Sequence, residues 1–146
     1  MTEDTDAPAL GDVLSYPFVW RHEADDGETE GRKPRPCVLA ILRRRSDGRS
    51  DGLTEVLLVP ITSSAAYAGK AFAVEVPPLE KRRAGLDPKV PMWVIADEFN
   101  LDVPARSFYF EAGNKVGAFS SQFVKQVQAV MIKAIQSRQA KRVNRT

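Results

Sequence analysis

Arg35 is the residue whose neighbours most constrain where its charge can sit. Pro34 and Pro36 flank it, and each proline fixes its own φ and biases the residue before it toward extended backbone. The segment leads straight into the apolar run Cys37 to Leu42, which reads as a strand. A planar, permanently charged guanidinium held at a strand mouth can clamp a phosphate through paired donors. The competing reading is an exposed arginine at a strand start. His22 is the one histidine; in the acidic loop His22 to Glu30 it reads as solvated. With one histidine and one cysteine, neither a paired-histidine nuclease nor a zinc site can be assembled. Asp97, Glu98 and Asp102 imitate a metal cluster. Asp97 and Glu98 would point to opposite faces of a continuing strand, however, so we expect no metal and no cofactor.

Charge is distributed unevenly behind a formal net charge of +2. Met1 to Glu30 holds Arg21 as its only Lys or Arg, and no acid follows Glu111, where Lys115, Lys125, Lys133, Arg138, Lys141, Arg142 and Arg145 lie. Such a layout suits an anionic partner; the alternative is a solvated helix face and a loose tail. Arg32, Lys33, Lys81, Arg82 and Arg83 are further candidates for phosphate contacts. Tyr67 and Phe72 can stack on unpaired bases or serve core or dimer packing. Cys37, after Pro36 in an apolar run, reads as a small core residue.

These residues need a scaffold, and a chain of 146 residues normally makes one domain with a usable core. We expect a disordered tail over 1–10, one domain over 11–137 and a basic tail over 138–146. Strand formers run from Asp12 to Trp20, with Pro17 marking an edge or a bulge. Cys37 to Arg44 and Leu53 to Pro60 read as an antiparallel hairpin across the glycine-rich Ser46 to Gly52. Ala71 to Val76, the continuous apolar run Met92 to Asp97 and Phe108 to Glu111 give three more strands, with a helical turn over Leu79 to Leu86 ended by Gly85. From an N-cap at Ser120 or Ser121, Phe123, Val127, Val130, Met131, Ala134 and Ile135 recur at helical spacing to about Ser137. The sum is a mainly β fold, a small, strongly bent antiparallel sheet or barrel with a C-terminal helix. The acidic opening of the chain and the lack of a long apolar run predict a soluble cytoplasmic protein with no membrane segment.

The order of these features resembles the MazF/PemK (Kid) family of bacterial toxin endoribonucleases. Gly11-Asp12-Val13 resembles the family's opening G-D-[IV] strand, Arg35-Pro36 with CVLAIL its R-P-x-[VL]-V-[IL] strand, and Pro60-Ile61-Thr62-Ser63 its P-[IC]-T-S element. Gly85-Leu86, Asp97-Glu98 and Gly117 before the terminal helix fit its second half, so the resemblance covers most of Gly11 to Ile135. Two departures stand out. The insert Asp25 to Lys33 is long and charged, so the family's glutamate corresponds to Glu28 or Glu30, of which Glu30 keeps the five-residue step to the arginine. Glu98 and Asn100 stand where glutamine and a basic residue are more common.

The resemblance implies an SH3-like barrel with a C-terminal helix. It further implies a homodimer that cuts single-stranded RNA without metal and is silenced by a small antitoxin with an acidic, partly disordered tail. In that frame Arg35 and Thr62 contact the scissile phosphate, Glu30 is the candidate base, and Ser63, Arg32, Lys33, Lys81, Arg82 and Arg83 bind RNA. Toxins of the same architecture that bind DNA gyrase, and family members that bind without cutting, are the rival expectations. The dimer would be closed by exposed apolar residues around strands one and five.

Overall fold

The computed structural model describes residues 8–27, 33–44, 53–110 and 114–145. The core of the molecule is the hairpin of β2 (Arg35–Arg44) and β3 (Thr54–Thr62). Both strands are dense in β-branched and leucine side chains, and Cys37 through Ala40 and Val56 through Val59 are all buried. Pairing runs from Cys37 opposite Pro60 to Arg44 opposite Thr54, with a register shift between Leu39 and Ile41. That shift inserts Ala40 as an extra residue, and a bulge of this kind frees backbone groups and bends the strand. The Ala40 carbonyl accepts from the Gln128 side-chain amide at 2.8 Å.

β1 (Asp12–Tyr16) pairs antiparallel with β2, placing Tyr16 opposite Arg35. Pro17 ends it. On the other side of β1 lies β7 (Lys115–Ala118). β3 serves two partners in succession. Val56 to Leu58 pair with β6 (Glu98–Asp102), whereas Ile61 and Thr62 pair with β5 (Trp93–Ile95), which carries β4 (Ala73–Glu75) at its far edge. Splitting one strand between two neighbours bends the sheet. The last strand, β8 (Lys141–Asn144), runs parallel to β6, the one parallel pairing among the described residues. The fold is mainly β, a small barrel-like sheet with a C-terminal helix, as the sequence predicts.

That helix, α3 (Ser121–Gln136), starts where expected. Ser120 caps it by accepting from Phe123 N at 3.2 Å, and Phe123, Val124, Val127, Met131 and Ala134 bury one face. All but Ala134 join Val13, Val38, Val59 and Ile61 in one core cluster. The other side of the strands holds a second cluster, with Leu14, Tyr16, Phe18, Trp20, Cys37, Leu39 and Trp93 among its members. Burial on both faces explains why the strands read as continuous apolar runs. α2 (Pro78–Arg83) ends at Gly85, φ +74°, and lies against β7 so closely that a Cβ on Gly117 would come within 2.5 Å of the Ala84 carbonyl carbon.

Several expectations are corrected. The acidic loop after Trp20 begins with a short helix, α1 (Arg21–Asp25), opened by Glu23, whose carboxylate accepts from Trp20 N at 3.0 Å. Phe108–Phe110 is a 3-10 turn rather than a strand, because Ser107 Oγ and the Asn114 amide take the Tyr109 N–H and C=O that a ladder would use. Of the expected disordered tail, residues 1–7 lie outside the described residues. Part of the supposed loose C-terminal tail is β8. The chain reverses after α3 at Arg138, φ 59°, and Lys141 N then bonds Asp97 O at 2.7 Å. The apolar residues of strands one and five, proposed as a dimer face, are core: Val13, Leu14, Tyr16, Trp93, Val94 and Ile95 are all buried. Among the described residues, the exposed large hydrophobics are Leu10, Leu42, Leu79, Val116, Ile132 and Ile135.

Candidate functional site

Arg35 opens β2 at the end of the hairpin where β3 finishes in Thr62. The ladder between the two strands reaches Cys37 opposite Pro60, two residues short of Arg35 and of Thr62. The two side chains the sequence singles out thus come from facing ends of neighbouring strands. The Arg35 guanidinium lies over the Trp20 ring, 5.3 Å from its centroid, a cation–π contact that fixes the head group. Trp20 in turn stacks on Tyr67 with centroids 5.9 Å apart and planes 15° apart. Arg35 Nε is buried and, among the described residues, has no hydrogen-bond partner, so it is a donor in want of an acceptor.

Tyr67 comes from the 3-10 turn Ala65–Tyr67 that follows Thr62. Thr62 Oγ1 accepts from Ser64 N at 3.1 Å, and Ser64 Oγ accepts from Ala66 N at 3.4 Å. These bonds pin the loop and leave the Thr62 hydroxyl proton free to donate. Ser63 is exposed beside it.

The acid at this place is Glu98, the first residue of β6. Its Oε1 accepts from Arg21 N at 3.0 Å. Burial pushes the Glu98 carboxyl above the ordinary carboxylate range; Asp97 adds to the rise, while the Arg21 N–H, Lys141 and His22 oppose it. The Tyr67 phenol is likewise raised, first by burial and then by Glu98 and Asp97, against the pull of Arg35 and Lys141. Tyr67 therefore feels both the Arg35 and Lys141 cations and the Glu98 and Asp97 carboxylates. Asp97 Oδ2 is paired with Lys141 Nζ at 3.3 Å. Beneath the cluster Cys37 is fully buried, and burial raises its thiol far above the usual range, so it is inert packing.

Close to these residues is a buried polar network. Asp102 accepts from Tyr16 Oη at 2.7 Å and Ser107 Oγ at 2.8 Å. Asn100 bonds both the N–H and C=O of Val19, and Arg145 donates to Pro17 O and Asn100 Oδ1 while lying over the Tyr16 and Tyr109 rings. These contacts hold the Phe18–Trp20 segment that carries Trp20 to Arg35. Asp97, Glu98 and Asp102 thus serve separate partners. Among the described residues no three His, Cys, Asp or Glu side chains could hold a metal ion.

The remaining sequence candidates divide. Lys33 is exposed two residues before Arg35. Glu28, Glu30 and Arg32 lie outside the described residues. Lys81 is buried, 5% exposed, with its ammonium on Val90 O at 2.7 Å; it braces the loop after α2 and does not face a ligand. Arg82 and Arg83 are exposed on α2 and, among the described residues, make no contact with the Arg35 cluster. Trp20 and Lys141 are the participants that sequence reasoning missed. Trp20 carried only a strand-former signal, and Lys141 belonged to a tail taken as loose.

A cavity of about 260 Å³ adjoins Tyr67, lined by Lys70, Ala71, Phe72, Ala73, Ile95, Asp97 and Gln139 as well. A larger groove of about 490 Å³, lined by Pro8, Leu42, Leu53, Thr54, Pro104, Ala105 and Phe110, contains none of the residues of the Arg35 cluster. No helix among the described residues is long and apolar enough to cross a membrane. Compared with protein-family models and with curated proteins, the chain matches none of them.

Proposed function

We propose that the protein is a metal-independent endoribonuclease of the toxin type, cutting single-stranded RNA to 2′,3′-cyclic phosphate and 5′-hydroxyl ends. The observation that carries this reading is Arg35: a guanidinium steadied by Trp20, with a buried Nε that has no hydrogen-bond partner among the described residues. A phosphate oxygen is a natural acceptor for such a group. In the reaction the ribose 2′-oxygen attacks phosphorus, its proton passes to a base, and the P–O5′ bond breaks as the 5′-oxygen takes up a proton. Arg35 and the Thr62 hydroxyl neutralise the charge that accumulates on the non-bridging oxygens, the kind of preorganised stabilisation whose loss costs about 10²–10³ in rate per donor.

Of the described carboxylates, Glu98 is the one suited to proton transfer, since burial holds its affinity for protons above that of a solvated acid. Glu30 remains the base that the family resemblance implies. The family resemblance also supplies the partners: a second copy of the chain, and a small antitoxin with an acidic tail that would lie beside Arg35, in a cytoplasmic setting.

Incubating the purified chain with a long single-stranded RNA in chelator, then mapping both ends of the fragments, tests the proposal. The expected result is cyclic phosphate on one end and 5′-hydroxyl on the other. Intact RNA that nonetheless stays bound would replace cleavage with the binding-only reading.

A further inference from the structure

The cavity beside Tyr67 is walled by two aromatic rings, Tyr67 and Phe72, and by Ala71, Ala73 and Ile95, with the polar groups of Lys70, Asp97 and Gln139 added. Flat apolar walls with a few polar groups are how proteins receive an unstacked base, and about 260 Å³ is below the roughly 300–1,000 Å³ of pockets that take drug-sized ligands. Tyr67 is shared: it stacks on Trp20, over which Arg35 lies. A phosphate at Arg35 and a base in the cavity would therefore sit on either side of one ring system. We propose that this cavity is a base-reading subsite for a nucleotide next to the phosphate held by Arg35, and that Asp97 makes it prefer guanine.

The preference follows from donor counting. An ionised carboxylate only accepts. Guanine presents two neighbouring donors, N1–H and N2–H₂, whereas uracil has a single N3–H between two acceptors. Among the described residues, the one hydrogen bond to the Asp97 carboxylate comes from Lys141 to Oδ2, which leaves acceptor capacity on the same group. Lys70 and the Gln139 amide supply donors for guanine O6. The subsite rests on the RNA reading above, yet it makes a separable claim about equilibrium binding.

The test is titration of the full chain with 5′-GMP, 5′-IMP and 5′-UMP, followed by amide chemical shifts, with RNA cleavage measured in parallel. GMP should bind about tenfold more tightly than UMP, the difference made by one additional hydrogen bond to a charged group, and IMP, which lacks the 2-amino group, should fall between them. Asp97→Asn should bring GMP and UMP together. Because that variant also alters the Lys141 pair, Gln139→Ala, at an exposed position, provides a second arm and should weaken GMP more than UMP. Equal affinities in the wild type, or a preference unchanged in both variants, would overturn the subsite. Discrimination without cleavage would sink the nuclease reading alone, cleavage without discrimination the subsite alone, and neither activity both.

Discussion

Arg35 shows how a residue's role is fixed by what lies on either side of it. The flanking prolines were legible in the sequence, and so was the strand that follows; the Trp20 ring that steadies the guanidinium was not, because that contact joins residues 15 apart across a short helix no periodicity announces. In the sequence Glu98 stood out as a departure from a family pattern and as part of an apparent acidic cluster, not as a buried acid. Its setting gives a prediction with a definite sign. A carboxyl raised by burial in the folded state favours the protonated form there, so the contribution of Glu98 to stability is fully present at low pH and is lost as pH rises through the folded-state value. Glu98→Gln keeps an acceptor for Arg21 N–H and removes the buried charge. It should therefore raise Tm at pH 7, with the gain shrinking as pH falls to the ordinary glutamate range, while cleavage drops about 10²-fold or more. Thermal melts at pH 4 and pH 7 beside rate measurements check both halves; a variant that melts lower at pH 7 contradicts the desolvation account.

At the scale of elements, α2 was anticipated, and Gly85 was rightly read as its end. The direction of its side chains was not. LEKRRAG has no apolar stripe long enough to set a face, so Lys81, Arg82 and Arg83 looked equivalent, and only packing against β7 separates them. Lys81 lies under the chain with its ammonium on Val90 O, whereas its two neighbours are exposed. Lys81→Ala should destabilise by about 1–3 kcal/mol, the range for leaving a buried partner unsatisfied. Arg82→Ala and Arg83→Ala should stay within ~0.5 kcal/mol of wild type. Urea unfolding of the three variants separates these outcomes, and equal midpoints would show that Lys81 is a surface residue after all. β6 was missed for a related reason: Glu98, Asn100 and Asp102 break the strand pattern, and each is matched by a bond to Arg21, Val19 or Tyr16 that lies about 80 residues away in sequence.

For the whole molecule, the hairpin, the terminal helix and the mainly β class followed from local pattern, whereas the final strand depended on closure of the sheet. β8 returns from α3 to lie along β6, and Arg145 then reaches Pro17 O, Asn100 and two tyrosine rings. The last residues thus support the segment that presents Trp20 to Arg35. Arg145→Ala should lower stability by about 1–3 kcal/mol and loosen the Trp20 environment, read as a shifted tryptophan emission maximum. An unchanged melt and spectrum would mean that the C-terminal strand is an appendage rather than part of the fold.

Whether Arg35 stabilises a transition state rather than merely packing on Trp20 is measured most directly by the single-turnover rate of RNA cleavage in chelator for wild type, Arg35→Lys and Arg35→Ala, each with its melting curve. We predict that Arg35→Ala is slower by about 10²–10³ with a near-native melt, and that Arg35→Lys recovers little because an ammonium lacks the planar fork. Cleavage by Arg35→Ala at the wild-type rate, in a variant that melts like the wild type, would contradict the transition-state role.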